Sequence, residues 1–125
     1  QSNEQLDKFL APVHFQEIHL KRDTDQLVSL LYKYADQAEI EIEELVTPDF
    51  LARLDHACSH RWGLVIELLI ETLITSKLKG RTQLTIKDFA KQFSSQTGLP
   101  GKYSPFTAPD FREAFDPKRL LELSR

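Results

Sequence analysis

Apolar residues at Leu27, Leu30, Leu31, Tyr34 and Ala38 follow the i, i+3, i+4, i+7, i+11 spacing of one helix face. They predict a first helix beginning at Asp23 and Thr24. Upstream, Val13, Phe15, Ile18 and Leu20 alternate with polar residues only briefly, close to Pro12, which predicts an extended lead-in. Downstream the helical period weakens in "AEIEIEEL", where Ile40 and Ile42 alternate with glutamates, so the pattern leaves the end of the first helix open.

The next helix carries its own start signal in "VTPDFLARLDHAC". Thr47 is placed to cap it, Pro48 suits the first helical position, and Val46 is spaced to staple against Leu51. Phe50, Leu51, Leu54 and Ala57 then form its inner face. The third helix is apolar almost all round, through Leu64, Val65, Ile66, Leu68, Leu69, Ile70, Leu73 and Ile74. With Glu67, Glu71 and the threonines as its polar stripe, it is expected at the centre of the fold, closed by Gly80 as a left-handed cap. A fourth helix opens at Thr85, with Asp88 three residues on and Leu84 spaced to staple against Phe89; Ile86, Phe89, Ala90 and Phe93 face inward. Beyond Phe93, Gly98, Gly101 and four prolines at 100, 105, 109 and 117 forbid a long helix. A short helix from Pro109 to Phe115 and a last turn through Leu120 and Leu121 are predicted. The fold class is therefore all-α, a small helical bundle with an extended N-terminal lead-in and a Pro-rich C-terminal tail.

Composition narrows the setting. At 125 residues, 41% of them hydrophobic, the chain suits one compact core. A net charge of −3 argues against a dedicated nucleic-acid binder, which ordinarily carries a basic excess. A single cysteine leaves no internal disulfide framework and suits a reducing compartment. No apolar run approaches the roughly 18–20 residues of a membrane span, so a cytoplasmic protein without membrane partners is expected. The chain has no methionine, and "QSN" resembles the scar of a cleaved expression tag, so residues 1–3 are set aside and the rest is expected to be a piece of a longer protein.

Chemistry-bearing side chains crowd the mouth of the third helix in "HACSHRWG". His56 and His60 share a helical face, as metal ligands would, but Cys58 does not share it and no second His/Cys cluster supplies further ligands. No metal is therefore expected. A lone cysteine in a helical segment is more often a small core residue than a nucleophile, which leaves Cys58 out of catalysis. The plainest alternative makes Arg61 and both histidines ordinary surface residues at a helix start.

The stretch "SHRWGLVIELLIETLITSKLKGRTQLTIKDFAKQF", with the preceding "FQEIHLKRDTDQLVSLLYKYADQAEI", resembles the C-terminal helical lid of AAA+ ATPases. Its Arg61-Trp62-Gly63 spelling is most similar to the TniB family of transposition ATPases, and the likeness spans about residues 13–93. It implies a linker from an ATPase core over 4–22, a lid over 23–97 and a tail over 98–125. It also implies that Arg61, with His60 assisting and Ser59 capping, approaches the terminal phosphates of a nucleotide held by the core. A guanidinium suits that task because it stays charged and presents several donors. The usual Gly-Asn-Pro type turn before the arginine is absent from "CSHRW". There is no G-x-x-x-x-G-K-[ST] phosphate loop, so this piece is expected to be no enzyme and to hold no cofactor by itself. ATP and Mg would belong to the parent. Its partners would be the core, neighbouring subunits of an oligomer and a transposase, with DNA reached only through the parent.

A different reading makes the chain a free-standing helical interaction module, with Tyr103, Phe106, Phe111 and Phe115 anchoring in a partner's groove. Against it, the same aromatics could fold back over the helical core, the more ordinary fate of such residues. Lys77, Lys79 and Arg81 are placed either to touch DNA phosphate or to complement a helix C-terminus.

Overall fold

The computed structural model describes residues 16–118. Four main helices follow in order: α1 (Leu20–Ala38), α2 (Pro48–Ala57), α3 (Trp62–Leu78) and α4 (Ile86–Thr97). A 3-10 turn (Gly101–Tyr103) and the short α5 (Phe111–Ala114) complete them. Among the described residues there is no strand, only two isolated bridges, Glu17 with Arg61 and Glu41 with Gln83. The fold is all-α. Leu120 and Leu121, expected in a last turn, lie outside the described residues.

The helix starts divide by how local their causes are. In α2, Thr47 Oγ1 accepts from the Phe50 N–H at 3.1 Å and Pro48 opens the helix. In α4, the Asp88 carboxylate accepts from the Thr85 N–H at 2.8 Å and from its hydroxyl at 3.1 Å. Both starts agree with their sequence signals. By contrast, α1 begins at Leu20, before the expected Asp23 and Thr24. The Asp23 carboxylate reaches back to the His19 N–H at 3.0 Å and is held by Arg22 Nε at 2.9 Å, so it satisfies the helix mouth from inside the first turn.

Left-handed residues close α1, α3 and α4. At the end of α1, Glu39 (φ 57°) lets the Ile40 N–H reach the Ala35 carbonyl at 2.9 Å. Gly80 (φ 74°) does the same for α3, bringing the Arg81 N–H to the Ser76 carbonyl at 3.0 Å. The acidic stretch after α1 is extended only through Ile42 and then turns, with the Leu45 and Val46 N–H groups donating to the Ile42 carbonyl; Ile40, Ile42 and Leu45 are buried and the glutamates between them face outward. It is tied to the α3–α4 connection through Glu41, whose N–H donates to Thr82 O at 2.8 Å and whose carbonyl accepts from the Leu84 N–H at 3.0 Å.

Helix α3 packs against both α1 and α4, while α1 also packs on α2. Its inner face is Val65, Leu68, Leu69 and Leu73 together with Thr72 and Ser76, both fully buried. This corrects the expectation that the threonines form an outward polar stripe. Thr72 satisfies its hydroxyl on the Leu68 carbonyl at 2.6 Å, and Thr75 bonds Gln92 of α4 at 3.0 Å, so small hydroxyl side chains serve where two helices meet. Ile74 and Leu78, at 49% and 84% exposure, point outward instead.

The tail completes the core. Phe106 is buried with its ring centroid 5.6 Å from Phe93, 5.8 Å from Phe89 and 6.4 Å from Phe50. Phe115 lies 5.3 Å from Phe93. From α2, Arg53 donates to the carbonyls of Pro105 (3.2 Å) and Ala108 (2.7 Å) and stacks over the Phe111 ring at 4.7 Å. The short tail helix runs from Phe111 to Ala114, inside the expected span of Pro109 to Phe115.

Candidate functional site

The four residues between α2 and α3 make a tight, strained turn. Ser59 and His60 both occupy the left-handed region, at φ 55° and 58°. That conformation costs a non-glycine residue about 1–2 kcal/mol, so something must over-determine it. The His60 N–H donates to the Asp55 carbonyl at 2.9 Å, the Ser59 N–H to His56 O at 3.1 Å, and the Arg61 N–H to Cys58 O at 3.0 Å. The His60 ring adds a side-chain tie, with Nδ1 2.8 Å from Asp55 Oδ2.

Ser59 is buried within this turn and does not cap α3, contrary to its expected role. Arg61 occupies the capping position with extended backbone and no side-chain cap. The lead-in pairs directly against it: the Ile18 N–H donates to His60 O at 2.7 Å, and the Trp62 N–H donates to Gln16 O at 3.1 Å. This antiparallel bridge brings Glu17 beside Arg61, with Nη1 3.3 Å from the carboxylate. The Arg61 side chain is 30% exposed and that of Glu17 54%, so the pair sits at the surface and stabilises little. Each of α1, α2 and α4 has an aspartate in its first turn, and α3 has no acid there. Its N-terminal partial positive charge is left uncompensated by its own residues.

Asp55 is buried beneath this turn. One carboxylate oxygen meets His60; the other, Oδ1, is buried without a hydrogen-bond partner among the described residues. Burial pushes its pKa above the ordinary aspartate value, a shift only partly opposed by the hydrogen bond from His60. Because folding favours the protonated form, this group's contribution to stability is fully present below the unfolded-state value of 3.8 and is lost as pH rises through the higher folded-state pKa. Asp55→Asn removes that dependence. The melting temperature of the variant minus that of the parent sequence should therefore become more positive as pH rises from about 3 to about 7. A difference that stays flat or falls would remove Asp55 as the source.

The other reactive-looking groups are committed elsewhere. Cys58 is buried, and burial, reinforced by the carboxylates of Asp55 and Glu67, drives its thiol pKa far upward, which suits a packed core residue and not a nucleophile. His60 lies beyond the end of α2, so the two histidines do not share the helical face expected of them; their ring centroids are 6.5 Å apart, and His56 Nε2 is 2.8 Å from the Phe115 carbonyl. Its ring also packs edge-on against Phe111 at 5.4 Å. Among the described residues no group of three His, Cys, Asp or Glu side chains is arranged to hold a metal.

The structure thus brings Arg61 and His60 together at one mouth and sends the tail aromatics elsewhere. Phe106, Phe111 and Phe115 are buried, whereas Tyr103 is 43% exposed. Sequence reasoning missed Asp55, Glu17 and Arg53. An aspartate five residues before His60 is a weak signal; the partner of Glu17 lies 44 residues away, and although Arg53 also pairs with Asp49 on its own helix, its tail partners lie 52 and 55 residues away. Among the described residues no helix is long and apolar enough to cross a membrane. Comparison with known proteins finds no matching family, no matching characterised protein and no matching solved structure.

Proposed function

We propose that this chain is the C-terminal helical lid of an AAA+ ATPase of the TniB type, a cytoplasmic regulator of DNA transposition. In this reading the lid contributes nucleotide sensing through Arg61, assisted by His60, and contributes to oligomer assembly. ATP and Mg are held by the core of the parent, and the partners are that core, neighbouring subunits and a transposase. The observation that carries the reading is the bridge between the lead-in and Arg61, which sets Arg61 beside the point where the described chain enters the bundle. The acid-free first turn of α3 supports the same assignment, since phosphate is favoured at a helix N-terminus that carries no acid of its own. The surface pair with Glu17 is weak enough for Arg61 to exchange a carboxylate for a phosphate. The lid itself, lacking a phosphate loop, acts on ATP only together with the core.

The alternative, a free-standing interaction module, has less support, because three of its four proposed anchors are already used inside the core.

Arg61→Ala in the intact parent tests the proposal. The lid should keep its melting temperature within about 2 °C, since the side chain is partly exposed and its ion pair weak, while ATP hydrolysis falls at least about tenfold, the scale of one lost charged contact in the transition state. Arg61→Lys should restore activity only in part, because lysine keeps the charge and loses the planar fork. Unchanged hydrolysis in a stable Arg61→Ala protein would remove the assignment; loss of stability and activity together would make Arg61 structural.

A further inference from the structure

The charges of this acidic chain are not spread evenly. Residues 75–107 hold six lysines and arginines against a single acid, Asp88, a net charge of +5; the whole chain is −3, so the remainder carries −8. The fold gathers most of the positive group along one groove. Lys79 and Arg81, after the end of α3, and Lys87 and Lys91, one turn apart on α4, line a groove of about 620 Å³. Thr85 and Ser94 add hydroxyls, and Asp88 lines the same groove. A smaller, adjoining groove of about 330 Å³ between α3 and α4 shares Lys79 and Lys91 and is lined otherwise by hydroxyl and amide side chains and Asp88.

The single acid is already engaged. The Asp88 carboxylate accepts from Thr85 at the start of α4 and lies 3.3 Å from Arg81. Among the described residues, Lys79, Lys87 and Lys91 have no carboxylate within ion-pairing distance. Lys77 is not part of the groove: its Nζ donates to the Ala38 carbonyl at 2.6 Å and closes the C-terminus of α1. Of the three cations singled out in sequence, the structure therefore separates Lys77 from Lys79 and Arg81.

We infer that this groove binds the phosphate backbone of a nucleic-acid duplex, without reading its sequence. Four cations beside hydroxyl donors are the side-chain set that contacts phosphodiesters. No aromatic side chain lines the groove, so it offers no platform for the stacked bases of a single strand. The acidic remainder of the domain repels phosphate and confines contact to this face. The inference rests on the charge distribution and the lining of the groove and is independent of the ATPase-lid reading.

The test is fluorescence anisotropy of a labelled random-sequence DNA duplex titrated with the 125-residue chain. With three to four phosphates neutralised, affinity should fall about 40- to 150-fold between 50 and 200 mM salt. The double variant Lys87→Glu, Lys91→Glu should weaken binding at least about tenfold at the lower salt. Lys21→Glu, Lys33→Glu changes the net charge equally on the exposed face of α1 and should weaken it less than about threefold. Circular dichroism and melting temperature establish that both variants are folded; if the groove variant is not, Lys87→Gln, Lys91→Gln takes its place. Absence of salt-dependent binding, equal losses in the two double variants, tighter binding to single-stranded DNA, or competition by polyglutamate as effective as that by duplex would each overturn the inference.

Discussion

Phe106→Ala is expected to destabilise the domain by about 3–5 kcal/mol, although its residue lies in a stretch that reads as a loose tail. Its ring is buried among Phe50, Phe89 and Phe93, which come from α2 and α4. Truncation would leave a cavity bounded by side chains that are themselves fixed in helices and so cannot collapse into it. Since domains of this size are commonly stable by only about 5–15 kcal/mol, the loss is a large share of the total. A melting temperature lower by at least about 12 °C is the expected reading, at about 4–8 °C per kcal/mol for a domain near 100 residues. A drop of less than about 2 °C would mean that residues 98–118 are an appendage and the core ends with α4.

Leu69→Ala is expected to cost about 2–5 kcal/mol, through lost burial and the cavity left at the centre of α3. Leu69 is fully buried on the helix that packs against both α1 and α4. Ile74→Ala, one and a half turns further along and 49% exposed, is the matched comparison. It should cost well under half as much, because little apolar surface leaves water there on folding. Denaturant midpoints at constant slope measure both. A loss below about 0.5 kcal/mol for Leu69→Ala, the range of ordinary surface changes, would contradict the central position of α3.

What the sequence disclosed depended on the reach of each interaction. Thr47 and Pro48, Thr85 and Asp88, and Gly80 all act within five residues, and each could be read from the order of residues alone. The start of α1 could not, because Asp23 caps from within the helix while the lead-in is held by pairing with Arg61. The apolar circumference of α3 pointed to a central helix but could not say which face stays wet. Thr72 and Ser76 are inside because hydroxyls can bond to their own helix and are small enough for a close neighbour; Ile74 and Leu78 are outside. The aromatics of the tail stood in sequence between two readings, and Arg53, unremarkable in its local context, carries much of the answer by holding two tail carbonyls. Of the candidate site, Arg61 and His60 were legible as polar residues at a helix mouth. The strained turn beneath them, and the buried Asp55 that secures it, arise from tertiary packing.

The sensing role proposed for Arg61 is tested most directly by the position of its guanidinium in the intact parent bound to a non-hydrolysable ATP analogue. The account predicts that Arg61 leaves Glu17 and donates to the terminal phosphate at about 2.7–2.9 Å, the range of a charge-assisted hydrogen bond. Arg61 still paired with Glu17, with the terminal phosphate beyond the reach of its side chain, would contradict it.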